Sequence, residues 1–260
     1  MKEKKIIYYE DELNDDFATT VEKIKPLPEK YKYINNHLYF KIIAFFLYNI
    51  ILRPFAWCYV KIRFLGKFKN KTIKKELKNT GYFIYQNHTT IITDAFLPSL
   101  FDFRKKNYLI AGDQANSLTL ILPLTKALGH IPLTTDIKHQ KNMMKCIKQR
   151  INEKSTIAIF PEAHVWPYYT EIRPFPSEAF KYAVKLNVPV VALTTCFQKR
   201  KFRKRPKIVV YADGPFYPDN NLNANENAKI IRDNVYNAMK DRCKNYSTYS
   251  YYDYKKKTSE

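Results

Sequence analysis

Glycine is scarce in this chain, 5 of 260 residues. Lysine, asparagine, isoleucine and tyrosine are abundant instead, a bias that codon usage alone can produce. Cysteine is scarcer still. Cys58, Cys146, Cys196 and Cys243 stand far apart, so no C-x-x-C metal or redox pattern exists. Reduced structural thiols are the expectation. No H-E-x-x-H or comparable ligand spacing occurs, which argues against a metal-dependent hydrolase built on His88, Asp94, Glu162 and His164. No Ser or Cys sits in a G-x-S-x-G setting. Negative charge is also in short supply. Against 45 Lys and Arg there are 24 Asp and Glu, a net charge of +21. Such a balance suits an anionic surface, a polyphosphate-bearing ligand or nucleic acid. The N-terminus, MKEKKIIYYEDELNDDFATT, has no apolar stretch of signal-peptide length. The expected location is therefore the cytoplasm or the cytoplasmic face of a membrane. No internal repeat is visible.

What is present fits one α/β domain with a proper core, or two small ones. Residues 1–37 form a polar arm broken by KPLPEK. Residues 38–70 begin with LYFKIIAFFLYNIILRPFAWCYV, the most apolar part of the chain, interrupted by Lys41 and Arg53. Pro54 should end or kink a helix near Leu52. The piece before it, roughly 22 Å of helix, is short of the bilayer core of about 30 Å. An interfacial or re-entrant segment is expected, with a buried core helix as the alternative. The flanking cations, from Lys41 to Lys71, suit anionic head groups.

From residue 71 to 243 strands and helices alternate. Strands are expected at 81–86, 107–112, after Gly129, 156–160, 188–197 and 207–214. Helices are expected from about Thr93, from 116 to 128, after Asp136 as cap, over 176–187, and at the end. This order predicts a layered α/β fold with a largely parallel sheet flanked by helices, preceded by a membrane-associating helical segment. The Tyr-rich tail, 244–260, reads as low-complexity and frayed.

His88 follows the strand GYFIYQ, and strand ends are where open α/β sheets bind ligands. Imidazole accepts a proton near neutral pH once one tautomer is fixed. Asp94, six residues on, could fix it. With no protein nucleophile in sight, such a pair would activate a substrate hydroxyl directly. Two unrelated loop residues are the plain alternative. A second marker is Phe160-Pro161-Glu162, where Pro161 stops a buried strand and leaves Glu162 at its carboxyl end.

NHTTIITD, GHIPLTT, FPEAHV and VPVVALTT follow one another in this order. Together they resemble the lysophosphatidate-type phospholipid/glycerol acyltransferases, with N-H-x-x-x-x-D, G-x-x-F-I-x-R, F-P-E-G-T-R and V-P-hydrophobic blocks. The resemblance runs from Leu38 to Pro218. It implies fatty acyl transfer from a thioester, acyl-CoA or acyl carrier protein, to a lysophospholipid hydroxyl, by default that of 1-acyl-glycerol-3-phosphate. It implies no further cofactor, membrane lipids as partners and no nucleic acid. By resemblance His88 is the base and Asp94 its orienter, while Asn87, Glu162, His164 and Arg173 serve the substrate. Three departures stand out. Five residues, not four, separate His88 from Asp94. Thr135 replaces the Arg of the second block. Ala163-His164-Val165 replaces Gly-Thr-Arg. The acceptor's phosphate must then meet other cations, Arg173 and Lys138 being nearest in sequence, or be absent. A catalytically altered lipid-binding scaffold is the main alternative, and a basic nucleic-acid-binding protein a lesser one. The run QKRKFRKRPK, 198–207, carries seven cations. It reads as a solvated loop or as a site for anionic lipid or an acidic carrier protein.

Overall fold

A computed structural model describes residues 4–18, 27–70, 72–112 and 122–257. A two-stranded sheet joins the chain's ends. Strand β1 (Lys5–Tyr9) pairs in parallel with β9 (Tyr252–Lys256). The tail expected to fray is therefore folded as far as residue 257. Tyr254 stacks on Trp166 at 5.0 Å and its hydroxyl donates to the Pro167 carbonyl at 2.8 Å. Aromatic area and that bond hold a segment whose composition alone reads as disorder.

Next come α1 (Leu38–Phe46), a π-helical stretch (Leu47–Leu52) and α2 (Arg53–Phe64). They run as one helix of 27 residues, about 40 Å long. The expected break near Leu52 does not occur. The π stretch absorbs Pro54, with the Arg53 N–H donating to the Tyr48 carbonyl five residues back. The extra residue also keeps one stripe facing the domain: Ala44, Tyr48, Arg53, Ala56, Val60 and Phe64 are all buried. Arg53 turns its charge inward, onto the Phe103, Asp102 and Lys105 carbonyls and Asn49. The outer side stays apolar and exposed at Phe45, Phe46, Ile50, Ile51, Phe55 and Trp57. Among the described residues this is the one helix long and apolar enough, by length and composition, to cross a membrane.

The main sheet has seven strands in the order β2-β8-β7-β3-β6-β4-β5. They are β2 (Lys67–Lys69), β3 (Tyr82–Gln86), β4 (Asn107–Ala111), β5 (His130–Pro132), β6 (Thr156–Ile159), β7 (Val190–Gln198) and β8 (Lys207–Phe216). All pairings are parallel except β7 with β8. The sheet thus begins inside the segment 38–70, at β2. Helices α3 (Ile73–Glu76), α4 (Ile91–Phe101), α5 (Leu122–Ala127), α6 (Ile137–Asn152), α7 (Lys181–Leu186) and α8 (Ala224–Tyr246) complete the chain. Asp136 caps α6 by accepting from the His139 N–H at 2.9 Å. The start of the expected helix 116–128 lies outside the described residues.

Both faces of the sheet are covered. Tyr82 and Ile84 of β3 pack with α2, α3 and α4, while Phe83 and Tyr85 pack toward α6, α7 and α8. Burial on both faces explains the near-continuous apolar strands. From β3 the chain crosses by α4 to β4, on one side; from β6 it returns to β7, on the other. The adjacent ends of β3 and β6 are therefore the topological switch point, where a crevice opens.

Candidate active site

His88 and Glu162 arrive at that crevice on neighbouring strands. His88 stands two residues past β3, and Glu162 three past β6. Thr90 is the N-cap residue of α4, and Asp94 lies in the first turn of that helix. One carboxylate oxygen of Asp94 gathers the loop around itself. It accepts from the Thr89 N–H at 2.6 Å and the Thr90 N–H at 2.7 Å, and lies 3.1 Å from His88 Nδ1. The other oxygen accepts from Thr90 Oγ1 at 2.7 Å. The additional residue between His88 and Asp94 is thus taken up in the loop, and the two side chains meet. Asp94 is wholly buried, whereas the His88 side chain is 14 % exposed.

A carboxylate on Nδ1 fixes the proton there and leaves the Nε2 lone pair free. The ring is clamped against Phe160, stacked at 4.2 Å and 11°. Its backbone is clamped as well: the His88 N–H donates to Glu162 Oε2 at 2.9 Å, and the His88 carbonyl accepts from the Trp166 N–H at 3.1 Å.

Pro98 lies inside α4 and has no N–H for the Asp94 carbonyl. The buried Gln86 amide reaches that carbonyl instead, at 3.5 Å. Gln86 thereby ties the end of β3 to the helix that carries Asp94. Nothing in the sequence pattern singled out Gln86, Thr90 or Phe160 for this work.

The residues expected to meet the substrate occupy different positions. Asn87 is buried and its amide spans to β7. It accepts from the Thr195 N–H at 2.8 Å and donates to the Thr195 carbonyl at 3.2 Å. Glu162 is buried too. Its second oxygen, Oε1, accepts from the Arg173 N–H at 2.9 Å, and the Arg173 guanidinium lies 3.5 Å from Oε2. Burial pushes the Glu162 carboxyl above its ordinary range, against the pull of Arg173 and the two backbone N–H groups. Arg173 itself is 1 % exposed. It donates to the His164 and Glu12 carbonyls and lies over Trp166 at 5.0 Å. Asn87, Glu162 and Arg173 therefore brace the His88 loop from within the protein.

His164 is one-third exposed, with Nδ1 3.4 Å from Asp16 Oδ2. Asp16 also accepts from the Val165 N–H at 3.2 Å, and the Asp15 carbonyl accepts from Trp166 Nε1 at 2.8 Å. The N-terminal arm thus closes over the FPEAHV turn, a contact no sequence feature announced. Ala163 in that turn has φ +62°, the left-handed region that favours glycine. The backbone turn is glycine-like although the residue is not glycine. Among the described residues no three His, Cys, Asp or Glu side chains cluster closely enough to hold a metal ion.

An apolar slot of about 230 Å³ lies between the apolar helix, α4 and the β4–β5 edge of the sheet, reaching Ala95, the residue after Asp94. Its walls are Tyr48 and Leu52 of the apolar helix, Phe96 and Ser99 of α4, and Leu109 and Ala111 of β4.

This α/β frame, with a His–Asp pair at the switch point, is that of an acyltransferase domain. Residues 67–195 match the Acyltransferase family, and the chain belongs to it. Among solved structures it resembles the 1-acyl-sn-glycerophosphate (LPA) acyltransferase PlsC from Thermotoga maritima. Identity is 16 % over 80 % of this chain and 93 % of that one, with a TM-score of 0.51. No curated protein sequence matches.

Proposed function

We propose that this acyltransferase moves a fatty acyl group from a thioester to the hydroxyl of a lysophospholipid at a membrane surface. The observation that carries the reading is the His88–Asp94 contact, with Nε2 lacking a partner among the described residues and the ring open to the crevice. Nε2 takes the acceptor's hydroxyl proton as that oxygen attacks the thioester carbonyl. The Asp94 carboxylate stabilises the imidazolium. When the tetrahedral intermediate collapses, the C–S bond breaks and the imidazolium returns its proton to the departing thiolate. The thioester is already activated, so the enzyme need not form a covalent intermediate.

The slot between the apolar helix and α4 offers a channel for an acyl chain that reaches Ala95, next to Asp94 in sequence. The outer side of α1 and α2 supports a position in one leaflet, with the domain lying along the helix. The loop after β7 supports the same orientation. Strand β7 runs parallel to β3, so this loop stands at the same end of the sheet as His88. Phe202, 87 % exposed, projects there among Lys199, Lys201 and Arg203, next to Ile62 and Leu65 at the end of α2. An aromatic wedge between cations suits an anionic membrane surface. The cytoplasmic face is the side this reading assigns.

With Arg173 enclosed, an acceptor phosphate would meet exposed cations such as Lys138, at the start of α6. 1-Acyl-glycerol-3-phosphate is the acceptor assigned. Detergent-solubilised protein offered a panel of lysolipids with acyl-CoA or acyl carrier protein, and mass spectrometry of the products, tests this. Acylated product from lysophosphatidate supports it. Product only from lysolipids lacking a phosphate monoester overturns the acceptor, and no product from any pair supports a lipid-binding scaffold.

A further inference from the structure

A second and larger cavity, about 510 Å³, opens where α1 meets the β4–β5 edge of the sheet. Its walls carry seven Lys or Arg side chains and one carboxylate, Glu153. Two of the cations are paired, Arg104 with Asp102 and Arg150 with Glu153. The others make no ion pair within 4 Å among the described residues, although Glu153 acts on Lys41 and Lys106 from farther off and Asp102 on Lys105. Arg53 and Lys105 are held by backbone carbonyls, which leave their charge in place. Lys106 donates to the Ala127 carbonyl at 2.8 Å, and Lys126 to that of Lys32. Lys41 stands exposed at the mouth. Nε of Arg53, Nε of Arg150 and both ring nitrogens of His130 are buried in this lining without a hydrogen-bond partner among the described residues. A neighbouring hollow shares Arg104, Lys105 and Lys106 and adds Lys78 and Lys154, so the positive surface continues.

A concave wall of one sign focuses its field on the space it encloses. Clustered donors of this kind match phosphate oxygens, which accept several charged hydrogen bonds at once. Burial, helped by the Arg150 charge and opposed by Glu153, lowers Lys106 to about 8. Phe40, Ala44 and Phe45 of α1 form the rim, and Tyr39, Ile42, Ile43 and Phe46 are exposed beside it. A helix bedded in a leaflet by those residues puts the mouth at head-group level.

We propose that this cavity binds the phosphate-bearing headgroup of an anionic phospholipid, whose acyl chains lie along the exposed side of α1. The lipid here is an anchor, not a reactant. The cavity lies at the N-terminal end of β4, and His88 at the C-terminal end of β3. The two strands run in the same direction, and five residues of strand separate their ends by about 13–16 Å. The inference goes beyond acyl transfer and does not depend on it.

The test reads the cavity locally. The full chain in neutral detergent is titrated with dihexanoyl phosphatidate, inorganic phosphate or dihexanoyl phosphatidylcholine. Lys106 is then acetylated briefly at pH 8 and its modification measured by peptide mass spectrometry. Phosphatidate should protect Lys106 at a concentration at least tenfold below that of inorganic phosphate, and phosphatidylcholine should not protect. Equal protection by phosphate and phosphatidate would overturn the lipid assignment in favour of a free phosphate. No protection by phosphatidate, or equal protection by phosphatidylcholine, would overturn the site. Arg150→Gln should raise the protecting concentration about tenfold. Lys41→Gln, at an exposed position that folding does not use, should raise it about threefold, and an unchanged value there would also refute the proposal.

Discussion

Replacing Asp94 with Asn separates its two tasks, holding the loop and serving His88. An amide can satisfy most of the loop. Its oxygen can stand where Oδ2 stands and accept from the Thr89 and Thr90 N–H groups, now 2.6 and 2.7 Å away. Its NH₂ would then face Thr90 Oγ1, whose hydroxyl can rotate to accept. What is lost is the charge in those hydrogen bonds, about 1–3 kcal/mol of stability, and the protein should still fold. The cost to catalysis is larger. A neutral oxygen cannot offset the positive charge that His88 gains as it takes a proton. A general base contributes about 10²–10⁴-fold, so the Asp94→Asn rate should fall about a thousandfold, near 4 kcal/mol. The assay is initial-rate acyl transfer under saturating donor and acceptor, with urea unfolding of the same preparation. A folded Asp94→Asn protein within tenfold of the parent rate would refute the assignment of Asp94.

Other parts of the structure carry their own expectations. Tyr254→Ala removes the stack on Trp166 and the bond to Pro167, and should cost about 2–3 kcal/mol. A loss under 0.5 kcal/mol in urea unfolding would mean the terminal sheet is not a structural part of the domain. Phe202→Asp should weaken binding to anionic vesicles at least tenfold, since a buried Phe contributes about 1.5–3 kcal/mol. Raising salt from 0.05 to 0.5 M should weaken the parent as well; vesicle sedimentation reads both, and binding indifferent to either change would remove the loop from the membrane surface. Burial holds Lys106 at about 8, below the lysine value of 10.5. The unfolded chain therefore binds this proton more tightly, so folding loses stability as pH falls from 10.5 through 8, with the full cost below 8. The gain from Lys106→Met over the parent should be larger at pH 7 than at pH 10, by up to about 3 kcal/mol. Urea unfolding at both values checks it, and a gain independent of pH would contradict it.

The alternation of strands and helices was legible because each strand is bounded by loops and most are buried on both faces. Asp136 announced the start of α6 by its side-chain cap. The motif suggested His88 and Asp94 as partners, but the extra loop residue left their contact open until Thr89 and Thr90 were seen wrapped around one oxygen. Partners distant in sequence were not legible. β9 reads as a loose Tyr-rich tail because β1, its partner, lies at the other end of the chain. The pairing of Glu162 with Arg173, both inside the protein, shows only in the three-dimensional arrangement. Pro54 promises a break, and only the packing of Tyr48 and Arg53 on the same stripe explains why a π turn replaces it.

The central claim is that His88 takes the acceptor's proton. His88→Ala removes the stack on Phe160 but leaves the ring's hydrogen-bond partner, Asp94, still bound to Thr89 and Thr90, so the loop keeps its support. Acyl transfer to lysophosphatidate by the folded variant, measured by mass spectrometry beside the parent, is the most direct measurement. The expected result is a fall of about a thousandfold or more with a retained cooperative unfolding transition. A rate within tenfold of the parent would contradict it.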